Sequence, residues 1–527
     1  MVWTAFDRTA RAYPQHDFLY LPALAAEPGP TRYTYREAYE RVEKLATQLE
    51  EAGFEPGHRV ALVLDNRAGF FVHFLALNRL GCSIVPINSA MSRAEMAYVL
   101  AHADLAAAIA LAQHADPVRA ALPAQVPLGV VGSDDASYAK PLGGSTAAPR
   151  EVALLYTSGT TGTPKGCILT ADYFDQIGAH YTGLGGYCAF RPGEERLITP
   201  LPVTHMNALG CSLMAMLLTG GCLIQLDRFH PKTWWSVVRE SRATCFHYLG
   251  VMPAMLLGAV PAPEDDMSGV LRFGFGAGVD PRHHEAFEKR FGVPLIEAWA
   301  MTETGGGAWM TANVEPRHVG QRCFGKAPVG VQWRIVTDSG ADAGCNETGE
   351  LWVRRAGLQA RYGFFAGYYK DVAATEVAWA EGWFHTGDLV RVDESGSFYF
   401  VDRSKNIIRR SGENIAAIEV ESALLRHGHV KACAVTAVPD ETRGEEVFAF
   451  IVLADGVAAD EVTAEALRKA CAEALLYFKA PGYVRFLTHL PQTASQKLAR
   501  GELKRMAARC VSEGEAFDLR AAKRRRA

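Results

Sequence analysis

Across residues 32–111 the apolar positions follow two rhythms in turn. Ala38, Val42, Leu45 and Leu49 recur at three- and four-residue steps, which puts them on one face of a helix over 35–49. Residues 60–64 are an unbroken apolar run and predict a strand, followed by a second helix over 70–80 and a second strand over 83–87. Further strands are predicted over 106–111 and 129–132. Strands apolar along their whole length are buried on both faces, so the alternation predicts a parallel sheet covered by helices. A Pro/Gly/Ser/Ala-rich loop over 140–149 leads into another apolar run at 152–155.

The middle third keeps this grammar. A strand from Arg196 runs into a turn at 202–207, a helix is predicted over 208–218, strand-and-turn units over 246–252 and 271–278, and a strand over 293–296. After Val331 the texture changes: 331–336 and 349–354 alternate apolar and polar residues, as half-exposed antiparallel strands do. Residues 398–401 read as the end of a strand and 402–406 are polar, which places a boundary near Asp402. Beyond it come a helix over 419–425, strands over 433–438 and 447–453, and a helix over 463–475. The expected fold is therefore α/β. Residues 1–401 form a large N-terminal domain with parallel sheets flanked by helices and a small β-subdomain, and 402–527 form a small α+β C-terminal domain.

Composition changes this picture little. The chain has 527 residues, 49% hydrophobic and 21% charged, with a formal net charge of −4, which does not suggest a nucleic-acid partner. Its basic run, 523–526, reads as a solvated tail. The eleven cysteines are scattered, without zinc spacing or a disulfide framework, and point to a reducing, cytoplasmic setting. No secretory signal is read at the N-terminus, and the most apolar stretch, 211–226, is broken by Thr219, Gly220 and Gly221 and is shorter than the roughly 20 residues of a membrane span.

The chemistry concentrates in a few stretches. The loop after the strand at 152–155 runs Thr157, Ser158, Gly159, Thr160, Thr161, Gly162, Thr163, Pro164, Lys165, Gly166. Its glycines let the backbone approach a ligand, while its hydroxyls and lysine suit phosphate oxygens. It is not a Walker loop, because Gly166 rather than Ser or Thr follows the lysine. A second stretch runs Glu297, Ala298, Trp299, Ala300, Met301, Thr302, Glu303, offering a flat ring and a hard carboxylate. Glycine clusters at Gly276, Ala277, Gly278, a carboxylate at Asp388 after Thr386 and Gly387, a polar segment from Asp402 and Arg403 to Gly412, and Lys497 near the C-terminus complete the set.

In this order these segments resemble the motifs of the adenylate-forming superfamily, which includes acyl-CoA synthetases, nonribosomal adenylation domains and luciferases. The resemblance spans nearly the whole chain. It implies a mobile phosphate loop over the β- and γ-phosphates of ATP, adenine along Trp299 beside Gly276, Ala277 and Gly278, Thr302 at the α-phosphate and Glu303 at Mg²⁺. It further implies ribose at Asp388 and Arg403, a hinge at Asp402 on which the C-terminal domain swings, coenzyme A beside Gly412, and Lys497 at the reacting carboxylate. His205 would gate an acyl pocket with Tyr248, Val251, Ala277, Ala300 and Met301. Three positions depart from the usual pattern: Trp299 for tyrosine, Ala300 for glycine, and Gln496 for the glycine before the lysine.

The implied activity is an AMP-forming acid–thiol ligase: a carboxylic acid and ATP give acyl-AMP and pyrophosphate, then coenzyme A gives acyl-CoA and AMP. A standalone enzyme loading a carrier protein is the alternative, with a luciferase-type oxidation more remote. The acid's class stays open between aliphatic, aryl and betaine. The stretch from Asp227 through Trp234 and Trp235 to Met252 is similar to carnitine/crotonobetaine-CoA ligases, in which case aromatic walls hold a quaternary ammonium; packing of the two tryptophans in the core is the other reading. A homodimer and a monomer are both compatible with the chain.

Overall fold

The computed structural model describes residues 2–23, 31–132, 136–144, 147–157, 164–411, 413–475, 477–493 and 498–523. The helix Tyr35–Glu51 starts where Thr34 and Glu37 cap each other's backbone amides, and it buries Ala38, Val42, Leu45 and Leu49. The strand Arg59–Val63 is buried along its length, and its central place in an eight-stranded sheet explains its unbroken apolar run. Its first residue is an exception to apolarity that the sequence reading did not anticipate. Arg59 is fully buried, its Nε and Nη2 each donating to a Glu151 carboxylate oxygen at 2.7 Å.

In this first sheet Arg59–Val63 lies between Ser83–Pro86 and Ala107–Leu111, parallel to both. The chain therefore steps to one side of that strand and then to the other. The second eight-stranded sheet repeats the arrangement: Arg196–Thr199 lies between Cys222–Gln225 and Cys245–Leu249, again parallel to both. Such reversals open a crevice at the carboxyl ends of the strands, where ligands of α/β proteins bind. His205 follows the first of these strands and Val251 the last, so both sit at the second crevice.

The alternating segments after Val331 form the expected antiparallel sheet, in the order Val331–Val336, Gly349–Arg355, Phe384–Val392, Phe398–Arg403. Beyond it Ile407–Arg410 pairs with Glu413–Ala416 on one side and with Gly444–Leu453 on the other, in a six-stranded sheet that also holds Val430–Asp440 and is covered by the helices Ala417–Leu425, Glu461–Ala474 and Arg500–Ser512. Among the described residues, the apolar cores draw either on residues up to 400 or on residues from 408 onward, never on both.

Two local expectations change. Residues 250–252 do not simply turn: the helix Val251–Leu257 begins there, exposing Val251 while burying Met252. The helix expected from Ala208 opens instead as a π-helix, Asn207–Ser212, before Leu213–Thr219 continues as α. Its wide turn coincides with a buried polar group, His247, whose Nδ1 lies 2.6 Å from Asn207 Oδ1 and 2.9 Å from Ser212 Oγ, with Tyr181 Oη 2.7 Å from Nε2. The basic run at the C-terminus is not a plain solvated tail either. Lys523 is fully buried and donates to Glu446 Oε1 at 2.6 Å, because Glu446 would otherwise be enclosed with Arg410 as its sole cationic partner; residues 524–526 lie outside the described residues. No helix of the described residues is long and apolar enough to cross a membrane.

Candidate functional site

The strands Glu151–Thr157 and Lys165–Thr170 pair antiparallel with Thr157 opposite Lys165, so the Gly/Thr loop joins the two strand ends. Ser158, Gly159, Thr160 and Thr161 themselves lie outside the described residues, as do Gly412 and Lys497. Lys165 is described. Its Nζ lies 4.8 Å from the centre of the Tyr368 ring and 3.7 Å from Asp371 Oδ2. Tyr368 belongs to the short strand Gly367–Tyr368, which pairs with the lysine's own strand, and its hydroxyl donates to Glu303 Oε1 at 3.0 Å. The ring of Tyr368 thus links the lysine to the carboxylate.

The segment carrying Thr302 and Glu303 is held by backbone contacts on both sides. Tyr173, fully buried, donates its hydroxyl to Thr302 O at 2.9 Å, Phe365 N–H donates to Glu303 O at 2.9 Å, and Met301 N–H donates to Thr304 Oγ1 at 2.9 Å. Ala298, Ala300 and Met301 pack, partly buried, on the main core.

At the other end of the segment Trp299 Nε1 donates to Asp388 Oδ2 at 2.9 Å, while Arg403 Nε lies 2.9 Å from Asp388 Oδ1. Asp388 and Arg403 face each other across neighbouring strands. The carboxylate is buried, and its backbone N–H donates to Thr386 Oγ1, which fixes the turn. Each of its two oxygens thus faces a protein donor, an indole N–H on one side and a guanidinium on the other.

Glu297 closes the glycine turn. It accepts from Tyr248 Oη at 2.7 Å and from the backbone N–H groups of Gly278 and Val279 at 3.0 and 3.2 Å. Burial raises its pKa above the usual carboxylate value, against the lowering effect of the tyrosine hydroxyl. Tyr248 is itself fully buried, with its hydroxyl spent on Glu297, so it supports the turn from behind. Gly276 is needed for close contact and Gly278 for its backbone conformation: a Cβ on Gly276 would stand 2.3 Å from Tyr248 O, and Gly278 has φ +77°. Ala277 is exposed beside them.

His205 is half-buried and lies in a turn closed by its N–H to Pro202 O at 3.0 Å. Trp234 and Trp235 do not wall this crevice. Trp234 is buried against Phe229 and Phe246, and Trp235 against Phe287 and Phe291, in the core under the second sheet. At Asp402, Oδ1 accepts from Arg403 N–H and Asn406 Nδ2, and Oδ2 accepts from Ile418 N–H at 3.0 Å, at the start of the helix Ala417–Leu425. Sequence reasoning missed Tyr368, Tyr173 and Asp371. For Tyr368 the available signal was the dense aromatic run from Phe364 to Tyr369 around Gly367.

The site's residues therefore string together two ends of one segment: a phosphate-type hairpin with Lys165 at Glu303, and an aromatic–carboxylate–guanidinium cluster at Trp299, Asp388 and Arg403. The chain is 33% identical over 477 residues to a sulfoacetate–CoA ligase of Cupriavidus necator, covering 87% of this chain and 89% of that protein. It is 28% identical over 499 residues to a crotonobetaine/carnitine–CoA ligase of Escherichia coli, covering 90% and 93%. Among solved structures, ATP-bound MatB from Rhodopseudomonas palustris superposes with a TM-score of 0.82 at 24% identity, over 96% of this chain and 99% of that one, a likeness of fold. The profile of AMP-binding enzymes matches residues 6–369, and that of the AMP-binding enzyme C-terminal domain matches residues 419–497. With a match over most of its length and relatives aligned nearly end to end, this chain belongs to the AMP-binding enzyme family.

Proposed function

We propose that this chain is an AMP-forming acid–thiol ligase that activates a carboxylic acid with ATP and transfers the acyl group to coenzyme A. The observation that carries the reading is the continuous link from Lys165 through Tyr368 to Glu303, on a segment whose other end, Trp299, is tied to Asp388 and Arg403. One segment so held can span a nucleotide from its phosphates to its ribose.

The acid's carboxylate oxygen bonds to the α-phosphorus as the bond to the pyrophosphate oxygen breaks. The coenzyme A thiolate then attacks the acyl carbon, and AMP leaves. In this reading Trp299 lies along the adenine, with Gly276, Ala277, Gly278 and Ala298 at its edge and Glu297 fixing that turn. Asp388 and Arg403 take the ribose hydroxyls. Thr157, Ser158, Gly159, Thr160, Thr161 and Lys165 hold the leaving pyrophosphate, Thr302 meets the α-phosphate, and Lys497 neutralises the reacting carboxylate and phosphate, where preorganised charge is most effective. Gly412 lies along the path of the thiol.

Mg²⁺ fits this donor set: Glu303 sets a hard carboxylate beside Tyr368 and the Lys165 hairpin, and Mg²⁺ is ordinarily held by one or two carboxylates together with substrate phosphates. Glu303 would hold it, and the ion would supply charge neutralisation at the phosphates. The separate cores before 400 and after 408 support a domain boundary near Asp402 and a C-terminal domain that carries Lys497 and Gly412 in turn. The cytoplasm, where ATP and coenzyme A are supplied and all eleven free cysteines stay reduced, suits the chain.

His205, Val251, Ala277, Ala300 and Met301 line the acid's crevice, with Tyr248 behind it. This moderately apolar and aromatic set suits a short to medium acyl chain or an aryl acid. Pyrophosphate and AMP release are to be measured with sulfoacetate, crotonobetaine, carnitine, and short aliphatic and aryl acids, each with and without coenzyme A. AMP release that depends on coenzyme A, without a carrier protein, supports the ligase; pyrophosphate release that never proceeds to acyl-CoA favours carrier loading; silence across the panel overturns the assignment. Lys497→Ala should abolish acyl-AMP formation yet leave thioester formation from supplied acyl-AMP largely intact, and equal loss of both half-reactions would rule out the alternating C-terminal domain.

A further inference from the structure

The two crevices face each other across one side chain. Asn66 follows the strand Arg59–Val63 of the first sheet, yet all of its side-chain bonds go to the second. Its Nδ2 donates to Leu201 O at 3.2 Å, Leu226 O at 2.9 Å and Asp227 O at 3.2 Å, and its Oδ1 accepts from Val203 N–H at 2.9 Å. Those groups lie just past the carboxyl ends of Arg196–Thr199 and Cys222–Gln225. Val203 stands two positions before His205. A carboxamide offers two N–H donors and an acceptor in one plane, so its nitrogen is shared among three carbonyls, the shortest contact being to Leu226 O, while its oxygen takes the one amide.

The turn that aims Asn66 is itself held. Asp65 has φ 54°, a left-handed conformation that Asp tolerates better than most residues but that costs free energy outside glycine. Its carboxylate is gripped by Ser89 Oγ at 2.6 Å and His114 Nε2 at 2.7 Å, with Gln113 Nε2 at 3.3 Å. Ser89 follows Ser83–Pro86, and Gln113 and His114 follow Ala107–Leu111, so the ends of all three strands of the first crevice are knotted at Asp65. Gln225, fully buried, also donates to Leu201 O and Leu226 O at 3.1 and 2.9 Å, but not to Val203. Asn66 therefore adds, from the first sheet, a hold on the His205 side of a turn that His205 N–H to Pro202 O closes locally.

We propose that Asn66 is a positioning residue for the acid: from the first sheet it sets the path of 201–206, and through it the place of His205 in the second crevice. The proposal rests on the ligase reading for its kinetic consequence and on geometry alone for its structural one. The full-length chain is to be compared with Asn66→Ala and with Asn66→Asp, which keeps the shape but sets a carboxylate against three carbonyl oxygens. KM for the acid should rise about tenfold in Asn66→Ala, the scale of one lost hydrogen bond, and further in Asn66→Asp. KM for ATP should stay within about twofold, since the nucleotide cluster at Trp299 is not touched. Amide hydrogen exchange should speed up over 201–206 in both variants, with exchange in 295–304 unchanged.

An acid KM that does not move in an active enzyme, or acid and ATP constants that rise together, overturns the proposal. If the wild type activates no acid at all, the ligase reading fails instead, and unchanged exchange at Val203 then decides against Asn66 independently.

Discussion

Glu446 is enclosed between two cations. Arg410 Nε donates to its Oε2 at 2.9 Å and Lys523 Nζ to its Oε1 at 2.6 Å, and all three side chains are essentially without solvent. Burial lowers the Lys523 pKa to about 8, with Glu446 opposing that shift. Removing the shared anion leaves two buried positive charges uncompensated, so Glu446→Ala should cost about 3–5 kcal/mol of stability in the C-terminal unit, read by denaturant unfolding. A loss under about 1 kcal/mol would mean that water reaches the pair. None of this was legible in the sequence, where Lys523 sits among arginines and Glu446 among surface-like charges. Charge pairing at a separation of 77 residues leaves no local pattern. The same limit hid Arg59 and Glu151, and also Tyr368, whose meaning lies in what stands on either side of its ring. By contrast Trp299, Asp388 and Arg403 could be named from sequence because each sits in a short run of matching residues.

The elements themselves were easier to read than their contacts. Parallel strands and amphipathic helices declare themselves through periodicity, and most boundaries fell within a few residues. The helix Val251–Leu257 was missed because its seven residues follow a strand directly and contain Pro253, so no helical rhythm develops. Its start depends on Gly250. A Cβ there would stand 1.8 Å from Gly278 O, so the helix and the glycine turn can approach this closely only without a side chain. Gly250→Ala should therefore push apart the two walls of the proposed acid and adenine sites while the rest of the second sheet stays folded. Displacement by about 1 Å at a reacting centre can cost on the order of a hundredfold in rate, so kcat/KM for adenylation should fall at least about tenfold with little change in the circular dichroism spectrum. Activity within about twofold of wild type would show that the turn yields without cost.

For the molecule as a whole, the docking of the C-terminal unit was not legible in the sequence, since it depends on single bonds such as Arg322 Nη2 to Ser422 Oγ at 2.8 Å and Arg282 Nη1 to Leu425 O at 2.6 Å. Nor did the sequence show that His73 and His247 are sealed inside and His180 half-buried. Burial lowers His73 and His180 to about 4 and His247 to about 3, so all three are neutral in the fold near neutral pH. Unfolded, each titrates near its ordinary value of about 6.5. Between those values the unfolded chain binds more protons, so stability is fully present above about pH 6.5 and is lost as pH falls toward 4. Glu288, lowered to about 2 despite burial through its bonds to Arg317 and His284, loses its contribution at still lower pH. The buried carboxyls Glu297 and Glu421, raised by burial, act in the opposite sense above about pH 4.5, so the net slope mixes both signs. A difference measurement separates them. Among the described residues the ring nitrogens of His73 pair with Gly69 O and the Tyr138 hydroxyl, and Gln can serve both. From pH 6 to 5 the unfolding free energy of wild type should fall more steeply than that of His73→Gln, by about 1 kcal/mol over that unit. Parallel curves would mean that His73 protonates inside the fold as readily as outside it, and that its burial carries no acid sensitivity.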